Sequence, residues 1–254
     1  MLAACSGTGQ SVAVFVEAES TRQRVRAAWA ARAGVDYLKP LQVLTQPESP
    51  LLWAPGWTVV LRIEQCVTAV APTRELARSV TAALSGLSPS EATSPDHVMP
   101  RLSKVNVIEI GGTAKLYYPV GALRAPTSGS RVEFVPLSGV DDVLVAVTRE
   151  GLEVSGLRSV ASDVAVVRDE FGEPIAACGY RRWPQQLADL CVLTRADHRG
   201  KGLAAAVGIN ASRRALSEGL LPQWSARPAP SQAVARAMGF EELGDHFSFR
   251  TADT

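Results

Sequence analysis

The chain has 254 residues, 46% of them hydrophobic, and a formal net charge of +1. That is enough apolar material to bury a real core and too much for a disordered chain. A charge so close to zero excludes a global field drawing the protein to nucleic acid or to a membrane surface, so any basic site must be local.

In chain order, residues 1–7 carry a lipoprotein-like Leu2-Ala3-Ala4-Cys5. No basic stretch and no apolar run of roughly 7–15 residues precedes that cysteine, so no signal peptide is expected. No uninterrupted stretch of roughly 18 apolar residues suggests a membrane span. Within residues 11–34 the second half reads as a helix, with Val25, Ala28, Trp29 and Ala33 on one face and Gly34 as its stop. Residues 35–56 read as a proline-rich loop. Two short strands follow around Ile63–Gln65, then a helix capped by Thr73, with Leu76, Val80 and Leu84 on one face and Gly86 at its end. "SPSEATSP" reads as a loop and residues 96–103 as a short helical turn broken by Pro100. "NVIEI" and "KLYYPV" read as separate strands.

Residues 121–130 have the composition of a linker, which places a domain boundary near residue 130. Beyond it, "RVEFVPL" reads as a strand and residues 141–148 as a helix. "DVAVVRD" and "PIAACGYRRW" form a hairpin across "EFGE", and "LADLCVLT" is a third strand. Residues 202–218 form a helix ending at Gly219; "LPQWSA", a short helix over 230–238 and "HFSFR" complete the chain.

The junction "TRADHRGKGLAAAV", residues 194–207, carries the chemistry. The first turn of a helix has unpaired N–H groups and a partial positive charge, so it receives phosphate. Glycine lets a backbone approach such a ligand without a Cβ in the way. A P-loop does not fit, because Lys201 is followed by Gly202 and position 195 is Arg. Gly200, Gly202 and Ala205 do fit the G-x-G-x-x-G/A dinucleotide spacing. However, a hairpin precedes the motif, and the next strand ends in Ser225 and Ala226 where a ribose-binding acid would be needed.

Arg199-Gly200-Lys201-Gly202-Leu203-Ala204 matches Q/R-x-x-G-x-G/A at a helix start, and residues 231–240, "SQAVARAMGF", match a late S-x-x-x-A-x-x-x-G-F pattern. In this order of hairpin, strand, helix, strand, helix and strand, the stretch from about 160 to 250 resembles the GNAT acyl-CoA N-acyltransferase superfamily. Within it, the chain looks most like actinobacterial, zwittermicin-resistance-type acetyltransferases. The resemblance implies a mixed α/β (α+β) fold: a GNAT domain over 131–254 preceded by a small, divergent α/β domain over 1–130, a degenerate GNAT-like half.

The same resemblance implies acetyl-CoA as co-substrate. Its pantetheine arm would lie along the backbone of Val192, Leu193 and Thr194. Its pyrophosphate would sit on Arg199, Gly200, Lys201, Gly202, Leu203, Ala204 and Ala205. A backbone N–H in the 192–194 region would polarise the thioester carbonyl. Asp189, on the strand feeding the motif, is the candidate base for the attacking amine, sharing a face with Cys191 and Leu193 by alternation.

The sequence departs from the family where many members carry a tyrosine general acid: the matching residue is Ala235. The asparagine common at that helix start maps to Pro228. Ser231 is the remaining candidate acid, with helix capping as its other reading. Trp183 and Trp224 are candidates for lining the acceptor site, or for core packing. Cys178 and Cys191 read as buried small residues, and Arg181 and Arg182 as solvated.

Four cysteines without a C-x-x-C pair, and only three histidines, leave little for a metal site. No metal is expected, and free thiols suit a reducing cytoplasm. The expected function is acetyl transfer to a primary amine of a small molecule, without nucleic acid or membrane partners, by a monomer or homodimer. A protein or peptide acceptor is the alternative on substrate. A non-catalytic acyl-CoA-binding module is the alternative on activity.

Overall fold

The computed structural model describes residues 18–49, 51, 56–126, 128–136 and 155–252. The Leu2-Ala3-Ala4-Cys5 stretch and the helix expected over 141–148 lie outside them.

The N-terminal helix α1 (Ala18–Ala33) buries Val25, Ala28, Trp29 and Ala33, the four residues whose spacing defines its apolar face. Residues 41–45, expected as loop, form β1 (Leu41–Thr45), which runs parallel to β3 (Cys66–Ala71). Its five residues alternate too weakly to be seen locally; pairing with β3 makes the strand. Between them in sequence comes β2 (Trp57–Ile63), which pairs on the far side of β3 and antiparallel to it, across a two-residue turn at Glu64 and Gln65. Helix α2 (Arg74–Leu84) begins at Thr73, whose side chain accepts the Leu76 amide. The segment read as "SPSEATSP" loop contains α3 (Pro89–Ala92), held by a reciprocal capping box of Ser88 and Glu91. The short α4 (Pro95–Val98) passes into a 3-10 turn over Met99–Leu102.

"NVIEI" and "KLYYPV" are one strand, β4 (Val107–Pro119). Gly111 pairs with Ser248 of the last strand, Gly112 and Thr113 fall at a register shift, and pairing resumes where Ala114 meets His246. After the 121–130 connection come β5 (Glu133–Val135), β6 (Val164–Arg168), β7 (Pro174–Trp183) and β8 (Leu187–Thr194), with β5–β6, β6–β7 and β7–β8 each antiparallel. The 169–173 turn is closed by Asp169, whose Oδ1 accepts the amides of Phe171 and Glu173. Then follow α5 (Leu203–Ser217), β9 (Leu221–Ala226), α6 (Ala229–Ala237) and β10 (Phe240–Thr251).

The described residues thus form a mixed α/β fold with six α-helices and one ten-stranded sheet, ordered β1-β3-β2-β10-β4-β9-β8-β7-β6-β5. Strand β4 lies between β9 and β10, so elements from both sides of residue 130 share the sheet. On one face α5 and α6 pack over Tyr180, Ala188, Leu190 and Trp224, and α2 packs over Val60, Phe247 and Phe249. On the other face α1 packs over Leu61, Leu116, Tyr118, Leu187 and Leu221.

Candidate acyl-CoA site

The chain leaves β8 at Thr194, makes a 3-10 turn over Ala196–His198 and enters α5 through two glycines. Gly200 (φ +79°) and Gly202 (φ +75°) both adopt the left-handed conformation that other L-residues rarely take. Gly202 is the N-cap and supplies no side-chain cap. The first helical bond runs from the Ala206 amide to the Gly202 carbonyl at 3.1 Å. The amides of Leu203, Ala204 and Ala205 therefore have no intrahelical acceptor and point out of the helix start. A Cβ added at Gly200 would meet nothing within 4 Å, so the space above the loop is open.

Charge at this loop is unevenly spent. Arg195 is tied to Asp197 and Asp169, and His198 sits beside Asp197. Arg199 and Lys201 are exposed and make no ion pair among the described residues, although Arg199 Nε also reaches the Thr194 carbonyl at 3.5 Å. Two free cations and three free amides converge on the start of one helix, which suits a pyrophosphate.

The second feature is a slot in the sheet. Strands β8 and β9 pair in parallel over three rungs only: Leu187 with Leu221, Ala188 with Pro222 and Asp189 with Gln223. Beyond them β9 pairs with β4, from Trp224 opposite Tyr117 to Ala226 opposite Lys115. Strand β8 stays with β7 as far as Thr194 opposite Ala176. From residue 190 onwards the edge of β8 that faces β9 has no strand partner among the described residues, so alternate backbone groups of Val192, Leu193 and Thr194 are unpaired by sheet bonds there. The Thr194 hydroxyl, at the loop end of the slot, is buried without a hydrogen-bond partner.

Asp189 occupies the last rung before the slot and is 3% exposed. One carboxylate oxygen pairs with the Arg181 guanidinium; the other accepts the Gln223 amide at 3.2 Å. Gln223 in turn accepts from Tyr118 Oη at 2.6 Å, and Tyr118 accepts from the Trp29 indole at 2.7 Å. Burial raises the Asp189 carboxyl above its ordinary range, while Arg181 and Gln223 pull it back. Arg181 is therefore the partner of Asp189 and not a solvated side chain: the alternation of β7 turns it onto the same face. Arg182, one residue on, is exposed and pairs with Glu218.

Trp183 and Trp224 fall on opposite faces of the sheet. Trp224 is 2% exposed beneath α5 and α6, and its indole donates to the Ser231 hydroxyl at 3.0 Å. Trp183 packs edge-on against Trp29 on the α1 face. The two do not line one pocket. Ser231 is not the cap of α6, whose N-cap is Pro228. Ala235, at the position of the family's tyrosine, is fully buried.

Cys178 and Cys191 are buried; desolvation pushes the Cys191 thiol up to about 12 and that of Cys178 well above its usual range, so both stay protonated at neutral pH. The Trp29–Tyr118–Gln223–Asp189 chain was not foreseen. Its one trace in the sequence is parity, since Gln223 and Asp189 sit at matched positions of consecutive parallel strands. Among the described residues no group of three or more His, Cys, Asp or Glu lies together as metal ligands do, and no helix is long and apolar enough to cross a membrane.

A glycine loop opens α5 at the mouth of a slot between the splayed parallel strands β8 and β9. Residues 164–246, about a third of the chain, match the family model described as GNAT acetyltransferase. Solved structures similar to the chain include an acetyltransferase of the GNAT family from Colwellia psychrerythraea (14% identity, 71% of this chain and 75% of that one, TM-score 0.44). A GCN5-related N-acetyltransferase from Kribbella flavida matches at 15% identity over 61% and 63% of the two chains, with a TM-score of 0.46. A GCN5-related N-acetyltransferase-like protein from Streptococcus suis matches at 14% identity over 78% and 85%, with a TM-score of 0.43. No curated protein matches the chain.

Proposed function

We propose that the protein is an acetyl-CoA-dependent N-acetyltransferase acting on the primary amine of a small molecule, in the cytoplasm. The observation that carries this reading is the alignment of the uncapped first turn of α5 with the slot between β8 and β9. The amides of Leu203, Ala204 and Ala205, with Arg199 and Lys201, would hold the pyrophosphate. The β8 edge at Val192, Leu193 and Thr194 would take the pantetheine arm, and one of its amides would polarise the thioester carbonyl. A fixed donor there helps most as negative charge grows on that oxygen.

The neutral amine adds to the thioester carbon, the C–S bond breaks, and the thiolate leaves with the electron pair. The proton lost by the amine passes to solvent or to a nearby base. Asp189 is the acid at the last rung before the slot. To act as that base it must give up one of its two present partners, Arg181 or Gln223. Positioning the amine beside the thioester supplies much of the remaining acceleration.

Calorimetric titration with acetyl-CoA, with NADH as the control, tests the donor. Micromolar binding of acetyl-CoA and none of NADH is expected; NADH binding in preference to acetyl-CoA would return the dinucleotide reading. Thiol release across an amine panel tests transfer. A second reading, an acyl-CoA-binding module without turnover, is favoured by buried Ala235 at the tyrosine position and by the engaged carboxylate of Asp189. Binding of acetyl-CoA with no thiol release for any amine would establish it.

A further inference from the structure

Five elements of the fold contribute to one row of polar groups: Trp29 on α1, Tyr118 on β4, Gln223 on β9, Asp189 on β8 and Arg181 on β7. Trp29, Tyr118, Gln223 and Asp189 are each at most 4% exposed, so water does not stand in for any of them. The two ends of the row fix its direction. An indole N–H only donates, and so does a guanidinium. Tyr118 Oη therefore accepts from Trp29 and gives its own proton to Gln223 Oε1. Burial holds the Tyr118 phenol well above its ordinary range, so that proton stays in place. With its carbonyl end taken, Gln223 presents only its NH2 group to Asp189. Arg181 donates to the other carboxylate oxygen. Asp189 thus meets a donor at each oxygen, and a protonated carboxyl would find no acceptor within the row.

This direction matters because burial by itself works against the charge and raises the Asp189 carboxyl. The groups that act on it among the described residues are Arg181 from β7, Gln223 from β9, Arg32 from α1 by its charge, Tyr118 from β4, and Cys191 on its own strand. The two guanidiniums and the Gln223 amide favour the ionised form. Tyr118 and Cys191 are neutral at neutral pH and add no competing anion. Asp189 stands on the last β8–β9 rung, so its orientation is fixed where the slot opens.

We propose that Trp29, Tyr118 and Gln223 are positioning residues, and that the row starting on α1 holds Asp189 as an oriented, ionised carboxylate at the start of the slot. The first helix thereby sets the charge beside the reacting amine. That consequence for catalysis rests on the acetyl-transfer reading of the slot; the hold on Asp189 does not.

Full-length protein carrying 13C at the aspartate Cγ reports the charge of each carboxyl, and the Asp189 signal is the one missing from Asp189→Asn. Its titration midpoint should lie below neutrality in the wild type. Gln223→Met removes a donor and should raise the midpoint by roughly one unit. Tyr118 and Trp29 make no bond to Asp189. Tyr118→Phe nonetheless frees the Gln223 carbonyl to turn and accept a proton from Asp189, and Trp29→Phe frees Tyr118 to reverse in turn. Each should raise the midpoint by about half a unit. Trp29→Phe keeps a ring in the core and serves where a harsher variant fails to fold.

In the transfer assay the acidic limb of kcat/KM should move in the same order, which loss of packing alone would not produce. A midpoint unchanged in Tyr118→Phe and Trp29→Phe, in variants whose urea melts match the wild type, would overturn the proposal. So would a wild-type Asp189 that is protonated at neutral pH. A midpoint that moves while the limb stays fixed would overturn the catalytic part. Absent acetyl-CoA binding would remove the slot reading instead, and the carboxyl titration would still decide the row.

Discussion

At the scale of the residue, the same position can be good for the helix and bad for the ligand. Gly202 caps α5 without offering a side chain. Aspartate is among the best N-caps and tolerates the left-handed region better than most residues. Gly202→Asp should cost the fold about 1 kcal/mol for the left-handed backbone, while its carboxylate competes with pyrophosphate for the free amides. Acetyl-CoA affinity should fall by roughly tenfold or more. Calorimetry beside a urea melt separates the two effects; unchanged affinity would remove the loop from the donor site.

His246 gives a second residue-scale outcome. Burial, and then the charge of Arg227, push its imidazole down to about 4. In the unfolded chain it takes up a proton near pH 6.5, so between about 6.5 and 4 the unfolded state holds a proton the native state lacks. The stability from this residue is fully present above that window and is lost as pH falls through it, at about 1 kcal/mol per pH unit. Urea denaturation across the window checks this, and His246→Gln should flatten the dependence.

At the scale of the element, β10 depends on one residue without a side chain. A Cβ at Gly244 would stand 2.2 Å from the Arg62 carbonyl oxygen and 2.8 Å from Ile63 Cδ1. The residue sits where β10 shifts register against β4, and it pairs with both Ile63 and Leu116. No flexible side chain can yield to relieve the contact with backbone, so Gly244→Ala must push β10 away from β2. A loss of about 1–3 kcal/mol is expected, read from the urea midpoint. In contrast, the two-residue turn at Glu64 and Gln65 and the Thr73 cap were visible beforehand, because each depends on residues within a few positions of one another.

At the scale of the molecule, β10 pairs only with β2 and β4, and β4 also covers the free edge of β9. We propose that the linker-like stretch at 121–130 separates two stretches of sequence that fold as one cooperative unit. Residues 131–254 expressed alone would leave β10 without a neighbour and expose Phe247 and Phe249, which pack under α2 in the full chain. That fragment should be unfolded or insoluble, and the full chain should melt in a single transition. A soluble fragment with a cooperative melt of its own would show that the C-terminal part is self-sufficient.

The sequence by itself determined the glycine loop that opens α5, the Thr73 cap of α2 and the hairpins. A glycine that needs positive φ, a cap and a tight turn are short-range requirements, written in adjacent residues. It also placed Asp189, Cys191 and Leu193 on one face, because a strand alternates strictly. Only the tertiary structure decided that β1 exists, that β4 runs unbroken between β9 and β10, and that Trp183 and Trp224 look away from each other. It also decided that Arg181 pairs with Asp189 while the Arg32 guanidinium stacks on the Trp183 ring. Which strands lie side by side is set by packing between residues far apart in the chain, and a side chain's partner, or its lack of one, follows from that arrangement.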